Sequence, residues 1–330
     1  MIEVERLEKT FRVHRRRSGG LLGLVRRDVV DVEAVAGVSL SIGPGELIGY
    51  IGPNGAGKST TIKMLTGILH PSSGQAQVLG FTPWKERRKL VHHIGAVFGQ
   101  RSQLWYHLPP HDTFELLARI YNLDRAAYIR RRDLLIARFG LEPFLQTPVR
   151  KLSLGQRMRA EVAASLLHAP KVLFLDEPTI GLDVIARQEL RDLVREWNRE
   201  EGVTVFLTSH DAGDVERVAR RVIVINHGRV VLDGKVSALR REYLGSKILS
   251  VKFHEPPKQF SLPGVSTLKA SEYALKLEVD TRMTPIEQVM SAVLRAGPVA
   301  DIAIEDPPLE EVIAHIYAQA AQPETQPILE

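Results

Sequence analysis

The sequence predicts an α/β fold built on a mainly parallel sheet, followed by a small α+β domain. Three observations carry that expectation. Short apolar runs alternate with helical stretches between residues 46 and 225, the pattern of parallel strands with crossover helices. The first of these runs leads through a glycine-rich turn straight into a helical pattern. Near Tyr243–Gly245 the pattern changes to separate short strands and helices. The chain's 330 residues leave room for about two domains at this size. With 44% hydrophobic and 25% charged residues it excludes long disordered, collagen-like and fibrous readings.

Residues 2–11 and 35–42 alternate apolar and polar positions, as half-exposed strands do. Glu46 to Ile51 reads as a buried strand and Lys58 to Leu69 as the helix after it. Lys171 to Leu175, Val203 to Thr208 and Arg221 to Ile225 are further strands, with helices over 184–200 and 211–219. Residues 111–168 lack strand signals; Pro109, Pro110, Pro143 and Pro148 punctuate that helical block. In the last part, Leu249 to Phe253, Ala274 to Val279 and Val299 to Ile304 read as strands. Thr284 to Arg295 reads as a helix, with Thr284 as N-cap, Pro285 at the first position and Glu287 in the first turn. Leu309 to Ala320 reads as another helix, and the last ten residues, 321–330, as frayed. The expected domains are 1–245 and 246–330, with a helical subdomain at about 100–170.

Composition narrows the chemistry. There is no cysteine, which removes disulfides, Cys-ligated zinc, iron–sulfur clusters and thiol nucleophiles together. The net charge of +5 is too small by itself to argue for nucleic acid. No basic n-region with an apolar run opens the chain, and no apolar run approaches the ~20 residues of a spanning helix. The expectation is a protein of the cytosolic side that reaches a membrane through a partner.

Gly52-Pro53-Asn54-Gly55-Ala56-Gly57-Lys58-Ser59-Thr60 fits the phosphate-loop pattern G-x-x-x-x-G-K-[ST]. Its glycines let successive backbone N–H groups converge on an anion, and the helix start adds its positive end. Lys58 can reach the terminal phosphates, and the Ser59 hydroxyl can ligate Mg²⁺. Val172 to Glu177 is an apolar strand ending in two acids. Asp176 can sit beside Mg²⁺, and Glu177 can polarise an attacking water. Leu152-Ser153-Leu154-Gly155-Gln156 precedes a helical run, where Ser and Gly amides at a helix start make another anion site.

These motifs, Gly181-Leu182-Asp183 and His210 occur in one order, which resembles the nucleotide-binding domain of ATP-binding-cassette (ABC) proteins over residues 2–235. The resemblance implies the P-loop NTPase cassette: a mainly parallel core, an antiparallel β part and a helical subdomain. It implies ATP and Mg²⁺ as cofactors. It implies that Gln100 contacts Mg²⁺ and the attacking water, that His210 contacts the γ-phosphate and Thr60 a phosphate, and that Phe11 stacks on adenine. Ser153, Gly155 and Gln156 belong to the signature that meets ATP held by a second subunit, and Asp183 couples the two sites. Leu154 departs from the commonest family form, which has Gly there, while the serine and second glycine remain.

The resemblance implies sites shared between two subunits, so one phosphate loop and one signature per chain imply a homodimer, head to tail; it also implies separate transmembrane permease subunits and a place at the cytoplasmic face of the cell membrane. Arg101 to Pro109, the signature as written here, and the stretch Asp301 to Val312 resemble ATPases of bacterial drug and sodium exporters of the daunorubicin-resistance type. An importer ATPase is the alternative. A soluble ABC ATPase acting on nucleic acid or the ribosome is a second one, disfavoured by the single cassette and the absence of a heptad array and of cysteine. No nucleic-acid partner is expected. Compared with a compact cassette, residues 14–30 are an insertion; Arg15, Arg16, Arg17, Arg26 and Arg27 flank a short apolar patch there. It reads as a flexible exposed loop or as a contact for anionic lipid or the permease.

Overall fold

The computed structural model describes residues 1–16, 27–99, 102–243, 246–258, 260–306 and 313. By their contacts, residues divide into two units, Met1–Asp233 and Gly234–Glu330.

The first unit opens with a long antiparallel ribbon, β1 (Ile2–Arg16) and β2 (Arg27–Ile42). Its strands are in register out to Arg16 opposite Arg27. Both ends of the expected 14–30 insertion are therefore paired strand, and residues 17–26 lie outside the described residues. Then come β3 (Leu47–Ile51), α1 (Lys58–Leu65) and β4 (Ser73–Val78). β4 joins the ribbon to make the sheet β2-β1-β4. The helix after the phosphate loop is shorter than the sequence pattern: Thr66 turns its hydroxyl back to Ile62 O (2.9 Å), and the backbone continues through Gly67 at φ 71°. β4 gave no strand signal because it buries only Ala76 and Val78.

A short helix, α2 (Arg87–Leu90), leads to β5 (Ile94–Phe98). The helical block consists of α3 (Pro110–Ile120), α4 (Arg125–Phe139) and α5 (Leu154–Leu166). β6 (Val172–Asp176), α6 (Val184–Glu201), β7 (Thr204–Ser209), α7 (Ala212–Val218), β8 (Arg221–Asn226) and β9 (Arg229–Lys235) complete the unit. The six-stranded sheet runs β5-β6-β7-β3-β8-β9, and the pairs β5–β6, β6–β7, β7–β3 and β3–β8 are parallel. β9 follows β8 through His227-Gly228, both at positive φ (45° and 75°), as a two-residue hairpin turn requires. β3, β6 and β7 are buried along their whole length, which explains their unbroken apolar sequences. Tyr50, Phe206 and Phe174 pack through the core as tilted pairs, with ring-centroid separations of 5.1 and 5.7 Å.

The second unit holds α8 (Val236–Tyr243), β10 (Ser246–Phe253), β11 (Val265–Ser271), β12 (Ala274–Asp280), α9 (Ile286–Ala296) and β13 (Val299–Glu305). Its antiparallel sheet has the order β11-β12-β10-β13. Leu249, Val251, Phe253, Leu277 and Val279 pack with Val289, Val293 and Ala296 of α9. The expected N-cap is displaced: Pro285 caps α9, and the Thr284 hydroxyl donates to Pro263 O instead. A long-range partner outcompetes the local cap. The helix expected over 309–320 and the frayed end lie outside the described residues, apart from helical, buried Ile313.

His168, just after α5, is a packing residue with a titration consequence. Its ring stacks on Tyr121 at 4.0 Å, and its Nε2–H donates to Ile94 O (2.9 Å). Nδ1 is buried without a partner. Burial holds the ring neutral and pushes its pKa from 6.5 down to about 4. The unfolded chain therefore takes up this proton first as pH falls. The neutral ring's contribution is complete above the ordinary pKa and is lost between 6.5 and about 4. At most about 3 kcal/mol is at stake. His168→Gln keeps a donor for Ile94 O and should flatten the acid slope of stability, measured by urea unfolding between pH 7 and 4. Parallel slopes in variant and wild type would show that other groups carry the acid sensitivity.

Candidate functional site at the edge of the parallel sheet

The loop after β3 is shaped by close backbone approach. A Cβ at Gly52 would lie 2.5 Å from Ile225 O, and one at Gly57 2.4 Å from Ala34 O. Gly57 also sits at φ 104°, where a side chain is strained. Gly57 caps α1 with no side-chain bond, so the first N–H groups of the helix face the loop. Pro53, Asn54 and Gly55 are exposed, Ala56 is buried, and Thr60 is partly buried.

Lys58 is 5% exposed and folds back over this loop. Its Nζ donates to Gly52 O (2.7 Å) and Pro53 O (3.3 Å) and pairs with Glu177 Oε1 at 3.0 Å. The other Glu177 oxygen accepts from His210 Nδ1 at 2.5 Å. An ionised carboxylate only accepts, so Nδ1 carries the hydrogen. Glu177 itself takes φ 55°, and its N–H is held by Thr208 Oγ1 (3.0 Å). A non-glycine residue in that region is strained and persists only where the surroundings enforce it. Beside it, Asp176 Oδ1 accepts from Ser59 Oγ (3.0 Å) and Thr208 Oγ1 (2.7 Å).

The structure thus brings Lys58, Ser59, Asp176, Glu177 and His210 into one cluster at the carboxyl ends of β3, β6 and β7. Ligands of open α/β sheets bind at that edge. Ser153 and Asp183 occupy helix starts. Ser153 caps α5 in a capping box with Gln156 (2.9 and 3.2 Å), and Asp183 caps α6 through Ala186 N (2.8 Å). The two starts touch: a Cβ on Gly155 would lie 2.9 Å from Ala186 Cβ, and one on Gly181 3.0 Å from Leu154 Cδ2. Phe11 is partly buried in β1 opposite Val32, with Lys9 Nζ 5.3 Å from its ring centre. Gln100 lies outside the described residues.

Sequence reasoning missed several supporting groups. Thr208 holds both acids, and the only sequence hint was a hydroxyl among apolar residues just before His210. Behind it, Thr179 Oγ1 donates to buried Asp214, which pairs with Arg191. Arg187 reaches Asp211, the neighbour of His210, at 3.2 Å. This network ties the turn after Glu177 to α6 and α7.

The sequence profile of the ABC transporter family matches residues 35–180. The chain is 35% identical to the daunorubicin resistance ATP-binding protein DrrA3 of Streptomyces coeruleorubidus, over 87% of this chain and 92% of that one. The chain belongs to the ABC transporter family of ATP-binding proteins. It is also 30% identical to the linearmycin resistance ATP-binding protein LnrL of Bacillus subtilis, over 86% of this chain and 93% of that one. Among solved structures it is similar to the dimeric, post-hydrolysis ATP-binding cassette MJ0796 bound to ADP and Pi, with 25% identity and a TM-score of 0.60. That match spans 72% of this chain and 99% of the other. As an ABC cassette the protein is an ATPase of the P-loop NTPase fold, and cassettes of this kind work as dimers with membrane permease partners. No helix among the described residues is long and apolar enough to cross a membrane.

The oxygen donors present fit Mg²⁺, which takes one or two protein oxygens and fills its octahedron with water and phosphate. Ser59 Oγ and Asp176 Oδ1 supply such a pair. Thr208→Val keeps the shape but removes the hydroxyl that serves both acids. We expect a loss of about 1–3 kcal/mol in urea unfolding, from unsatisfied buried groups, together with slower ATP hydrolysis. Wild-type values for both would mean the hydroxyl is idle.

Proposed function

We propose that this chain is the ATP-hydrolysing subunit of an exporter of drug- or antibiotic-like compounds. It acts as a head-to-tail homodimer beneath a separate permease at the cytoplasmic face of the cell membrane. The observation that carries the catalytic reading is Glu177, gripped between Lys58 and His210 and one residue from the Asp176–Ser59 pair. The resistance proteins among its relatives support the export direction.

In this reading the loop Gly52–Thr60 holds the phosphates through its backbone N–H groups and Lys58. Ser59 and Asp176, joined by Gln100, would hold Mg²⁺, which when bound neutralises charge developing on the phosphates. Phosphate oxygens compete with Glu177 for the Lys58 ammonium. A Glu177 carboxylate released from Lys58 accepts a proton from the attacking water, while His210 orients it through Nδ1–H and sets the other edge of its ring toward the γ-phosphate. Phe11 stacks on the adenine. Ser153, Gly155 and Gln156 meet ATP on the partner subunit, and Asp183 links the two sites. Closing on two ATP shifts the permease between states, because the closed dimer binds ATP better than the open one.

The nucleotide chemistry belongs to the cassette, residues 1–245, and residues 246–330 serve dimer or permease contact. The arginines of 14–30, of which Arg15, Arg16 and Arg27 stand in the last paired positions of the β1–β2 ribbon, add affinity for anionic lipid, about 1 kcal/mol per basic residue near the surface. Salt-sensitive recovery with membranes supports this contact, and salt-independent recovery removes it.

Glu177→Gln should retain ATP binding and trap a closed dimer, with hydrolysis reduced by ~10²–10⁴-fold. Near-normal turnover would place the base elsewhere. The shared site is tested by co-expressing Lys58→Ala with Ser153→Arg, each inactive as a homodimer. In a mixed dimer one composite site carries both lesions and the other is whole. One trapped nucleotide per verified mixed dimer is expected; none would mean that Ser153 acts within its own chain.

A further inference from the structure

The helix that starts at Ser153 carries a buried charge that the mechanism above does not use. Glu161, in the middle of α5, is 3% exposed. Its carboxylate accepts from Ser102 Oγ and from Gln103 N (3.1 Å), and its carbonyl accepts from Gln103 Nε2 (2.7 Å). Ser102 Oγ also accepts from Leu104 N (3.1 Å). A second fastening lies just beyond: Arg150 N donates to Tyr106 O (3.0 Å) and Val149 N to Leu108 O (3.1 Å). Residues 102–108, which follow Gln100, are thus attached at both ends to the stretch 149–161 that brackets the signature. Within this stretch the side chains of Trp105 and Tyr106 stay open, the residues being 41% and 57% exposed.

We propose that Glu161 is a positioning residue that makes the segment after Gln100 and the signature helix move as one body, passing nucleotide-driven movement of α5 to the exposed Trp105–Tyr106 surface. This rests on the reading of Ser153 given above. Sliding 102–104 away from α5 would leave the buried Glu161 carboxylate without the donors from Ser102 and Gln103, which a water-excluded interior penalises. Moving both segments together keeps every bond. Desolvation already raises the Glu161 pKa, and the bonds from Ser102 and Gln103, with Arg157 nearby, oppose that rise.

The test is hydrogen exchange by mass spectrometry on the full chain, with and without Mg²⁺ and the non-hydrolysable analogue AMP-PNP. In the wild type, peptides covering 102–108 and 153–166 should change protection together. Glu161→Leu and the milder Ser102→Ala should lose the response at 102–108 while keeping nucleotide protection at 52–60. Glu161→Gln, which retains one acceptor for Gln103 N, should restore most of it. A role in stability alone would lower the unfolding midpoint but leave the two peptides responding together. An unchanged response in the variants, or no response at 102–108 in the wild type, overturns the proposal. If Glu161→Leu does not fold, Ser102→Ala and Glu161→Gln decide. The underlying reading fails separately: Ser153→Arg that still closes into a dimer with AMP-PNP would sink the signature role and leave the exchange result to be read by itself.

Discussion

Asp176 is held from two directions at once, and much of the site follows from that. It ends a fully buried strand and is 8% exposed, so its charge needs donors close by. Ser59 supplies one from the first turn of α1, and Thr208 the other from β7. Both donors arrive because the parallel register sets Asp176 beside Thr208 and Ser209 beside Ile51. The loops leaving three strands consequently start level with one another. Glu177, next in the chain, is then forced into its left-handed turn with its amide on Thr208, which aims the carboxylate at Lys58 and His210.

A second layer stabilises the first. Asp214, Arg191 and Arg187 are charges drawn largely out of water, a costly arrangement unless each finds a partner. Their mutual pairing, with Thr179 and Asp211, joins the turn after Glu177 to α6 and α7. α6 begins at Asp183, and its first turn packs on Gly155 of the signature. The loops proposed to face a partner subunit are therefore packed onto each other within one chain. The leucine at 154 has a physical role in this: its Cδ2 would lie 3.0 Å from a Cβ on Gly181, a tight approach at a position whose φ of 74° already favours glycine.

Helix α5 connects these features to the rest of the helical block. From Ala160 to Leu166 it is buried on every side, so its charged residue, Glu161, sits where a purely structural helix would carry an apolar one. Its partners come from residues 102 and 103, in a loop that no periodicity marks. The ribbon is a comparable case. Its outer half, with Val13, Val30 and Val32 exposed, gives neither an inward face nor a breaker that would have revealed strand beyond residue 11.

What the sequence by itself determined was local: the phosphate loop, the strands buried on both faces, the acids ending β6, and the order of motifs that marks the family. Each is written in consecutive residues, because a close turn, an unbroken apolar run or an anion-binding helix start is a property of neighbours in the chain. What only the tertiary structure decided were pairings across long separations. Thr208 with Asp176, Glu161 with Ser102, and Asp214 with Thr179 and Arg191 are joined only once the sheet and helices pack. Thr284 gives the same lesson in reverse, since a sound local cap was surrendered to the carbonyl of Pro263. A buried polar group bonds to whichever partner the fold brings within reach, and sequence spacing does not encode that choice.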